Sequence, residues 1–352
     1  MIANRKIILP LKHPDVVGYL CHAYPLSILR NGENYEHWLY NQYIQLICMH
    51  EFPVHNLFTF YLPNYGIKEF VLACPFVRRQ IIHLDFVGRD KQALLDFIVQ
   101  AVNRNYYAHI IVDEYFVPNT IAYNKERQPH EMLVIGYDLD ENVLHVAGFD
   151  KTMQYGTYKV DYDLFYKAYE QCERQHDYHQ NYMFLLWNDD RKPYGIRPNV
   201  IVEHLKNYIN SENSMLPYQA MADPVDWVYG MKCYDKLLHS LRHYVGELGN
   251  DMDVRPIHTV WEHKKIMRMR VQFLMESGYL TRDEAFVGKF KEAERQALTA
   301  RDQSLKHYFT KDKRFLQGVI ASLEAMLQEE EMVIRMLIDE LENRTPALTA
   351  EG

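Results

Sequence analysis

The sequence lacks the features that mark membrane-spanning, disulfide-rich and nucleic-acid-binding proteins. Its N-terminal apolar run, IILPL at residues 7–11, is too short for a signal peptide core or a membrane span. The five cysteines are odd in number and no two are spaced as CxxC, which argues against a disulfide framework or a zinc knuckle. There is no basic run, and the net charge is −8, which argues against a nucleic-acid partner. We therefore expect a cytoplasmic protein with reduced thiols, no metal and no membrane or nucleic-acid contact.

What the chain does contain is typical of a globular protein. Its 352 residues are enough for one large domain or two ordinary ones, and 48% of them are hydrophobic. The 27 tyrosines suit cores and half-wet pockets in which a ring is buried and its hydroxyl finds a partner.

The predicted secondary structure changes near the segment NDDRKPYGIRPN, residues 188–199. Before it, helical and strand patterns alternate, with strands predicted at 55–62, 80–87, 107–116 and 181–187, and helices at 21–29, 35–49, 89–103 and 161–172. After it strand patterns vanish, and apolar residues recur three or four apart through 200–345. The sequence predicts an α+β fold: an N-terminal domain, 1–192, with an antiparallel sheet, and an all-α antiparallel helical bundle domain, 193–352.

The segment QPHEMLVIGYDLDENVLHVAGFDK, residues 128–151, predicts a β-hairpin with His130 before its first strand and Asp150 after its second. Antiparallel pairing would bring Asp150 beside His130. A carboxylate there can hold the imidazole in one tautomer and stabilise its charged form. The alternative is that both residues are the ordinary polar ends of a surface hairpin.

Cys21, in VVGYLCHAYPLSILR, is the best candidate for a nucleophile to go with this pair. It stands where a loop meets an apolar helix predicted over 21–29. Pro25 does not argue against this helix, because proline is tolerated in a first turn. The positive end of the helix dipole favours a thiolate, and backbone N–H groups there can form part of an oxyanion hole. The alternative, a buried thiol used as a small hydrophobe, fits Cys48 and Cys74 better.

A metal centre is not indicated by the histidines of the C-terminal half. Among Arg255, His258, Glu262 and His263 the acid and the histidines are in the wrong order for HExxH. His258 and Glu262 are one helical turn apart, which is typical of a helix-surface pair. A polar helix facing the active site is the alternative, in which these two would contact substrate.

The order of these residues resembles a known family. A cysteine at the first helix, a histidine opening a hairpin, the phrase Gly136-Tyr137-Asp138 and an aspartate closing it resemble the papain-like fold of the double-glycine peptidases. The whole chain resembles more closely the proteins like butirosin biosynthesis protein H, which have a papain-like N-terminal domain and occur in bacterial natural-product clusters. The resemblance implies Cys21 as nucleophile, His130 as general base and acid, and Asp150 as its orienter.

One part of the papain-like pattern is missing. Such peptidases place a glutamine before the cysteine to complete the oxyanion hole, whereas the first glutamine here is Gln42. His13 and His22 are the nearby side chains that could substitute. A thioester is already activated, so its cleavage needs less oxyanion stabilisation than that of an amide. The missing glutamine therefore argues more strongly against a peptidase than against an enzyme that uses a thioester.

The expectation from this resemblance is an acyltransferase of antibiotic biosynthesis, in a polyketide or nonribosomal peptide setting. It takes an acyl group from the phosphopantetheine thioester of an acyl or peptidyl carrier protein and passes it to an amine or alcohol, on a small molecule or peptide, without a cofactor of its own. The helical domain is expected to cap the cleft, bind the carrier or form a homo-oligomer. The rival interpretations are a cysteine peptidase or thioester hydrolase, and a catalytically silent binding module.

Overall fold

The computed structural model describes residues 4–53, 57–62, 74–88, 90–174, 181–189, 191, 193–214, 227–246, 252–280 and 284–350, with side chains up to 344. The strands are β1 (Lys6–Ile8), β2 (Leu46–Met49), β3 (Phe58–Phe60), β4 (Val77–His83), β5 (Tyr107–Asp113), β6 (Pro129–Asp138), β7 (Val143–Phe149), β8 (Tyr155–Asp161), β9 (Tyr182–Asn188) and β10 (Trp227–Tyr229). The helices are α1 (Leu20–Leu29), α2 (Tyr35–Gln42), α3 (Lys91–Asn103), α4 (Tyr162–Glu170), α5 (Pro198–Asn210), α6 (Lys232–Gly246), α7 (Arg255–Glu276), α8 (Glu284–Thr310) and α9 (Lys313–Ala350).

The chain forms two compact units. The first consists of Met1–Tyr35 and Cys74–Pro193, and the second of Glu36–Ala73 and Tyr194–Gly352. The fold is α+β, as predicted, with an antiparallel sheet in the N-terminal half and a helical C-terminal region. Within the described ranges, no helix is long and apolar enough to cross a membrane.

The first unit is built on an antiparallel sheet with the strand order β4-β9-β5-β6-β7-β8. The predicted hairpin is β6 and β7, joined by the turn at 139–142. β5 pairs with the first half of β6, up to Val134, and β1 pairs with the second half, from Gly136 to Asp138. A bulge between Val134 and Gly136 marks the change of partner, so β6 is the central strand of the unit.

The phrase Gly136-Tyr137-Asp138 has a structural role in this hairpin. A Cβ at Gly136 would lie 2.3 Å from the carbonyl oxygen of Ile7, so only glycine lets β1 approach. Tyr137 is fully buried and its hydroxyl accepts from Asn103 Nδ2 at 2.7 Å. Asp138 Oδ1 accepts from the two amides that follow in the turn, at 3.0 and 3.1 Å. These three residues of the resemblance therefore fix the geometry of the hairpin and of its pairing with β1.

Helix α1 is apolar on all sides, as suits a helix enclosed by its unit. Nine of its ten residues are buried, and Cys21 is the one that is not. Pro25 lies in the second turn, not in the first as the sequence suggested. It has no N–H to donate to the carbonyl of Cys21, which loosens the helical ladder at the turn that carries the thiol.

Several predicted elements are shorter than their apolar patterns suggested. The helix predicted over 35–49 ends at Gln42, and the apolar run after it is the buried strand β2. The strands predicted over 80–87 and 107–116 end at His83 and Asp113, where short 3-10 turns begin. A short apolar run does not distinguish a buried helix from a buried strand, which explains the first difference.

The second unit joins helices α5 to α9 to a three-stranded sheet with the order β10-β2-β3. Strand β10 interrupts the stretch predicted as all-α, because it completes this sheet by pairing with β2. The segment Glu36–Ala73, assigned by sequence to the N-terminal domain, belongs here. Buried Arg270 donates to the carbonyls of Tyr40 and Tyr43 at 2.7 and 2.6 Å, and His263 donates to that of Ile44 at 2.8 Å, which ties the segment to α7.

Candidate active site

Cys21 lies in the first turn of α1, one residue after the helix begins. The amides of His22 and Ala23 both donate to the carbonyl of Tyr19, at 3.1 and 3.0 Å, and no acidic residue occupies this turn. The helix dipole therefore acts on the thiol without a nearby helical carboxylate to oppose it. Cys21 is partly exposed whereas the other four cysteines are buried, so it is the thiol best placed to react.

His130 opens β6 and is held by a buried carboxylate. Its Nδ1 lies 2.8 Å from Glu114 Oε1, with the Glu114 side chain 7% exposed and that of His130 36% exposed. A carboxylate accepts, so Nδ1 carries the hydrogen and Nε2 is the ring nitrogen with the basic lone pair. This is the arrangement of a histidine base with an acidic orienter.

Glu114 is positioned by the closed base of the loop between β5 and β6. Its amide donates to the carbonyl of Gln128 at 2.9 Å, and its carbonyl accepts from Thr120 Oγ1 at 3.1 Å. Its neighbour Asp113 is fully buried and paired with Arg127. Burial opposes the ionised form of Asp113, but Arg127 and two backbone amides hold its pKa below the ordinary value. The loop is thus fastened at both ends, and the carboxylate of Glu114 is fixed in place.

Asp150 caps a turn, whereas the resemblance implied that it orients His130. Its Oδ1 accepts from Thr152 N at 2.8 Å, Thr152 Oγ1 at 2.6 Å and Gln154 N at 3.1 Å, which caps the turn between β7 and β8. The ladder between β6 and β7 stops at Leu133 opposite Ala147, so the strand ends are not paired where Asp150 and His130 stand. The carboxylate hydrogen-bonded to His130 Nδ1 is that of Glu114 instead.

Tyr24 connects α1 to the strand that His130 opens. It follows Cys21 by three residues, which puts the two side chains on one face of the helix. Its hydroxyl lies 3.0 Å from the carbonyl oxygen of Glu131 and 3.1 Å from that of Ala147. The tyrosine therefore bridges β6 and β7 beyond their last pair and holds the Cys21 face of α1 against the start of β6.

The two histidines considered for the oxyanion hole have other surroundings. His13 is exposed, its Nδ1 lies 2.9 Å from the carbonyl of Pro14, and its ring meets the edge of Tyr155 at 5.8 Å. Tyr155 bonds Ser27, six residues beyond Cys21 and about 9 Å further along the axis. His22 is buried within α1, and burial lowers its pKa to about 3, so it stays neutral.

His258 and Glu262 lie in the second unit, on α7. His258 Nε2 is 3.1 Å from Glu262 Oε1, and Arg301 of α8 donates to His258 Nδ1 at 3.1 Å. Glu262 is 1% exposed, so the pair is not a solvated surface pair as predicted. Arg255 bonds Asp253, just before the helix. These contacts give the two residues a role in joining α7 to α8.

The sequence did not single out Glu114, the carboxylate on His130, or Tyr158, whose hydroxyl is close enough to feel the charge of Glu114. Glu114 is the second acid of Asp113-Glu114 at the end of an apolar strand, a signal that was available. The hydroxyl of Tyr158 is buried and has no hydrogen-bond partner among the described residues. Burial raises the pKa of Tyr158, and the charges of Glu114 and Asp150 raise it further. Nothing in the local sequence separates this tyrosine from the other 26.

Among the described residues, no group of three or more histidine, cysteine or acidic side chains is placed to hold a metal ion. Neither a comparison with protein-family models nor a search of curated proteins finds a match for this chain.

Proposed function

We propose that the first unit is a cysteine-dependent acyltransferase that works through an acyl-enzyme. The observation that carries this is the pair His130–Glu114 at the start of β6, the strand to which Tyr24 ties the Cys21 face of α1. A partly exposed thiol at a helix N-terminus and a histidine with a buried acidic orienter are the two components that nucleophilic acyl transfer needs.

In the proposed reaction, His130 Nε2 takes the proton of the Cys21 thiol, and the sulfur attacks the carbonyl carbon of an acyl thioester. The carbon–sulfur bond of the donor breaks, and the leaving thiolate takes the proton from His130. An amine or alcohol then gives its proton to His130 and attacks the carbonyl carbon of the acyl-enzyme. The bond between that carbon and the sulfur of Cys21 breaks, and the Cys21 thiolate takes the proton back from His130. Glu114 stabilises the charged imidazole in both steps.

The proposed donor is a thioester on the phosphopantetheine arm of a carrier protein, as the resemblance implies. A thioester suits a site without a glutamine before the nucleophile, because it needs less oxyanion stabilisation than an amide. The acceptor class, amine or alcohol, and the place in natural-product biosynthesis belong to the same proposal.

The test uses a short-chain acyl pantetheine thioester as a stand-in for the loaded carrier. Intact-mass measurement should find one acyl group on the wild-type chain and none on Cys21→Ala, while the buried-thiol variant Cys172→Ala keeps the adduct. Supplying an amine should then give the amide. Release of free acid alone would indicate a hydrolase, and full turnover by Cys21→Ala would refute the proposal.

Alkylation distinguishes an enzyme from a binding module. Burial raises the pKa of Cys172 and of Cys233, so these thiols should react slowly with iodoacetamide near neutral pH. Cys21 should react much faster, and His130→Ala should slow it. Equal, slow labelling of Cys21 and the buried thiols would favour a silent module.

A further inference from the structure

His263 of α7 is fully buried where the segment Glu36–Ala73 joins the helices of the second unit. Its Nε2 lies 2.8 Å from the carbonyl oxygen of Ile44. A carbonyl oxygen accepts, so Nε2 carries the hydrogen and Nδ1 is the ring nitrogen with the lone pair. The ring packs against those of Phe60 and Tyr208, with centroids 5.9 and 5.0 Å away. The neutral imidazole therefore holds the segment, and a further proton can enter only at Nδ1.

A buried cation already occupies that position. Lys264 Nζ lies 3.3 Å from His263 Nδ1 and donates to it. The ammonium also donates to Glu330 Oε1 and, at 3.1 Å, to the hydroxyl of Tyr208. The Lys264 and Glu330 side chains are 2% and 5% exposed, and each compensates the charge of the other. A proton on Nδ1 would break the bond from Lys264 and leave two cations side by side, away from water.

The other charged groups around His263 add to this repulsion or are paired elsewhere. Arg270 of the same helix is fully buried, and its charge also opposes a proton on the imidazole. Glu262 is paired with His258 at 3.1 Å. On α5, burial and the charge of Arg270 lower the pKa of His204 to about 4, so it is neutral. Burial raises the pKa of the two nearby tyrosines, which are neutral too: Tyr208 and Tyr234.

We propose that His263 is an acid-sensitive contact, and that a fall in pH releases the segment Glu36–Ala73 from α7. In the closed form the bond from Lys264 blocks Nδ1. In the open form β2 and β3 have left α7, the ring meets water and Nδ1 takes a proton. The proton binds the open form and excludes the closed one, which is how a histidine acts as a pH switch. This inference concerns the second unit and is independent of the acyl transfer proposed above.

The sign of the effect follows from the closed form. Burial and the charge of Lys264 lower the pKa of His263 well below the ordinary value of 6.5, which it regains in the open form. Such a group contributes stability that is complete above the ordinary value and is lost as pH falls below it. From about pH 7 to about pH 5 the open fraction should therefore rise about 25-fold.

Labelling of Cys48 tests the release, because this thiol lies in β2 and is fully buried in the closed form. Dithiodipyridine reacts with thiols at both pH values. His263→Gln is the test variant, since its amide can donate to Ile44 and accept from Lys264 but takes no proton. The labelling rate of Cys48 in wild type, divided by that in His263→Gln at the same pH, should rise about 25-fold between about pH 7 and about pH 5.

Two controls accompany this measurement. His239→Gln removes an exposed histidine of α6 and should label as wild type does. Cys172 lies in the first unit, and its ratio between wild type and His263→Gln should not change with pH. A Cys48 ratio that is independent of pH would overturn the proposal. A Cys172 ratio that rises equally would also overturn it, because the whole chain would then be unfolding.

Amide hydrogen exchange of the wild-type chain decides the matter if His263→Gln does not fold. After correction for the intrinsic exchange rate, peptides from β2 and β3 should open about 25-fold more often at about pH 5 than at about pH 7. Peptides from α8 of the same unit should open much less. Unchanged protection of β2 and β3, or an equal change in α8, would refute a local release.

Discussion

Two carboxylates of the first unit show how the surroundings of a residue decide its role. Asp150 Oδ1 accepts three hydrogen bonds from its own turn and is held there. Glu114, carried on a loop fastened by Asp113 and Arg127, has its Oε1 on the imidazole of His130. The sequence offers both acids, and only their hydrogen bonds show which of them orients the histidine.

Glu114→Gln should lower the turnover of an acyl thioester by about 10²–10⁴-fold, because an amide does not stabilise the imidazolium and favours the wrong tautomer of His130. Asp150→Asn, which keeps an oxygen for the amides of Thr152 and Gln154, should stay within about threefold of wild type. Steady-state kinetics of both variants measure the difference. A larger loss in Asp150→Asn than in Glu114→Gln would return the orienting role to Asp150.

His22 should make the protein sensitive to acid. Burial lowers its pKa to about 3, whereas the ordinary value is 6.5. Between these values the unfolded chain binds a proton at this residue that the folded chain does not, so stability is lost as pH falls through the window. Going from about pH 7 to about pH 5 should cost about 2 kcal/mol through His22.

Urea unfolding of wild type and of His22→Gln at both pH values checks this. Glutamine does not titrate, so the variant should lose less stability on acidification by about the same 2 kcal/mol, whatever its stability at pH 7. Parallel pH dependences in the two proteins would show that His22 is not the group responsible.

At the scale of elements, some helices and strands follow from the local sequence pattern, and others depend on a partner that is distant in the chain. The hairpin of β6 and β7 follows from two apolar runs around a polar turn, and α3 and α4 follow from helical spacing. The segment after Gln42 is predicted as helix from its sequence. It forms β2 instead, because its apolar run pairs with β3 and β10. Pairing partners that are distant in sequence decided that case.

Gly136→Ala should destabilise the first unit by about 2–3 kcal/mol, because its Cβ would collide with the backbone of Ile7 and displace β1 from β6. Gly156→Ala, in β8 of the same sheet, is the matched control, since its Cβ would meet nothing within 4 Å. That control should change the unfolding free energy by less than about 0.5 kcal/mol. Equal effects of the two substitutions on urea unfolding would contradict the close approach of β1.

At the scale of the whole molecule, each unit has a core and a distinctive polar group inside it. In the first unit it is the carboxylate of Asp113, which is fully buried next to Glu114 and pairs with the more exposed Arg127. In the second it is Arg270, which is fully buried and bonds two carbonyls more than 220 residues earlier in the chain. Burial lowers the pKa of Arg270 to about 9, which leaves it charged near neutral pH.

Arg270→Met should destabilise the second unit by about 3–5 kcal/mol, since the carbonyls of Tyr40 and Tyr43 would be buried without their donor. Arg335→Met removes an exposed ion pair with Glu331, both side chains more than half exposed, and should cost less than about 1 kcal/mol. Denaturant unfolding of the two variants measures the contrast. A loss below about 1 kcal/mol in Arg270→Met would show that Arg270 does not hold this segment.

The sequence by itself determined what depends on neighbours in the chain: the α+β class, the hairpin, the periodic helices after residue 200 and the position of Cys21 at a helix start. These follow from hydrophobic period and turn chemistry, which are local. Only the tertiary structure decided that Glu114 is hydrogen-bonded to His130, that Glu36–Ala73 belongs with the C-terminal helices and that Arg270 bonds the carbonyls of Tyr40 and Tyr43. Each of these depends on which distant residues meet, because a buried polar group takes its partners from wherever the fold brings them.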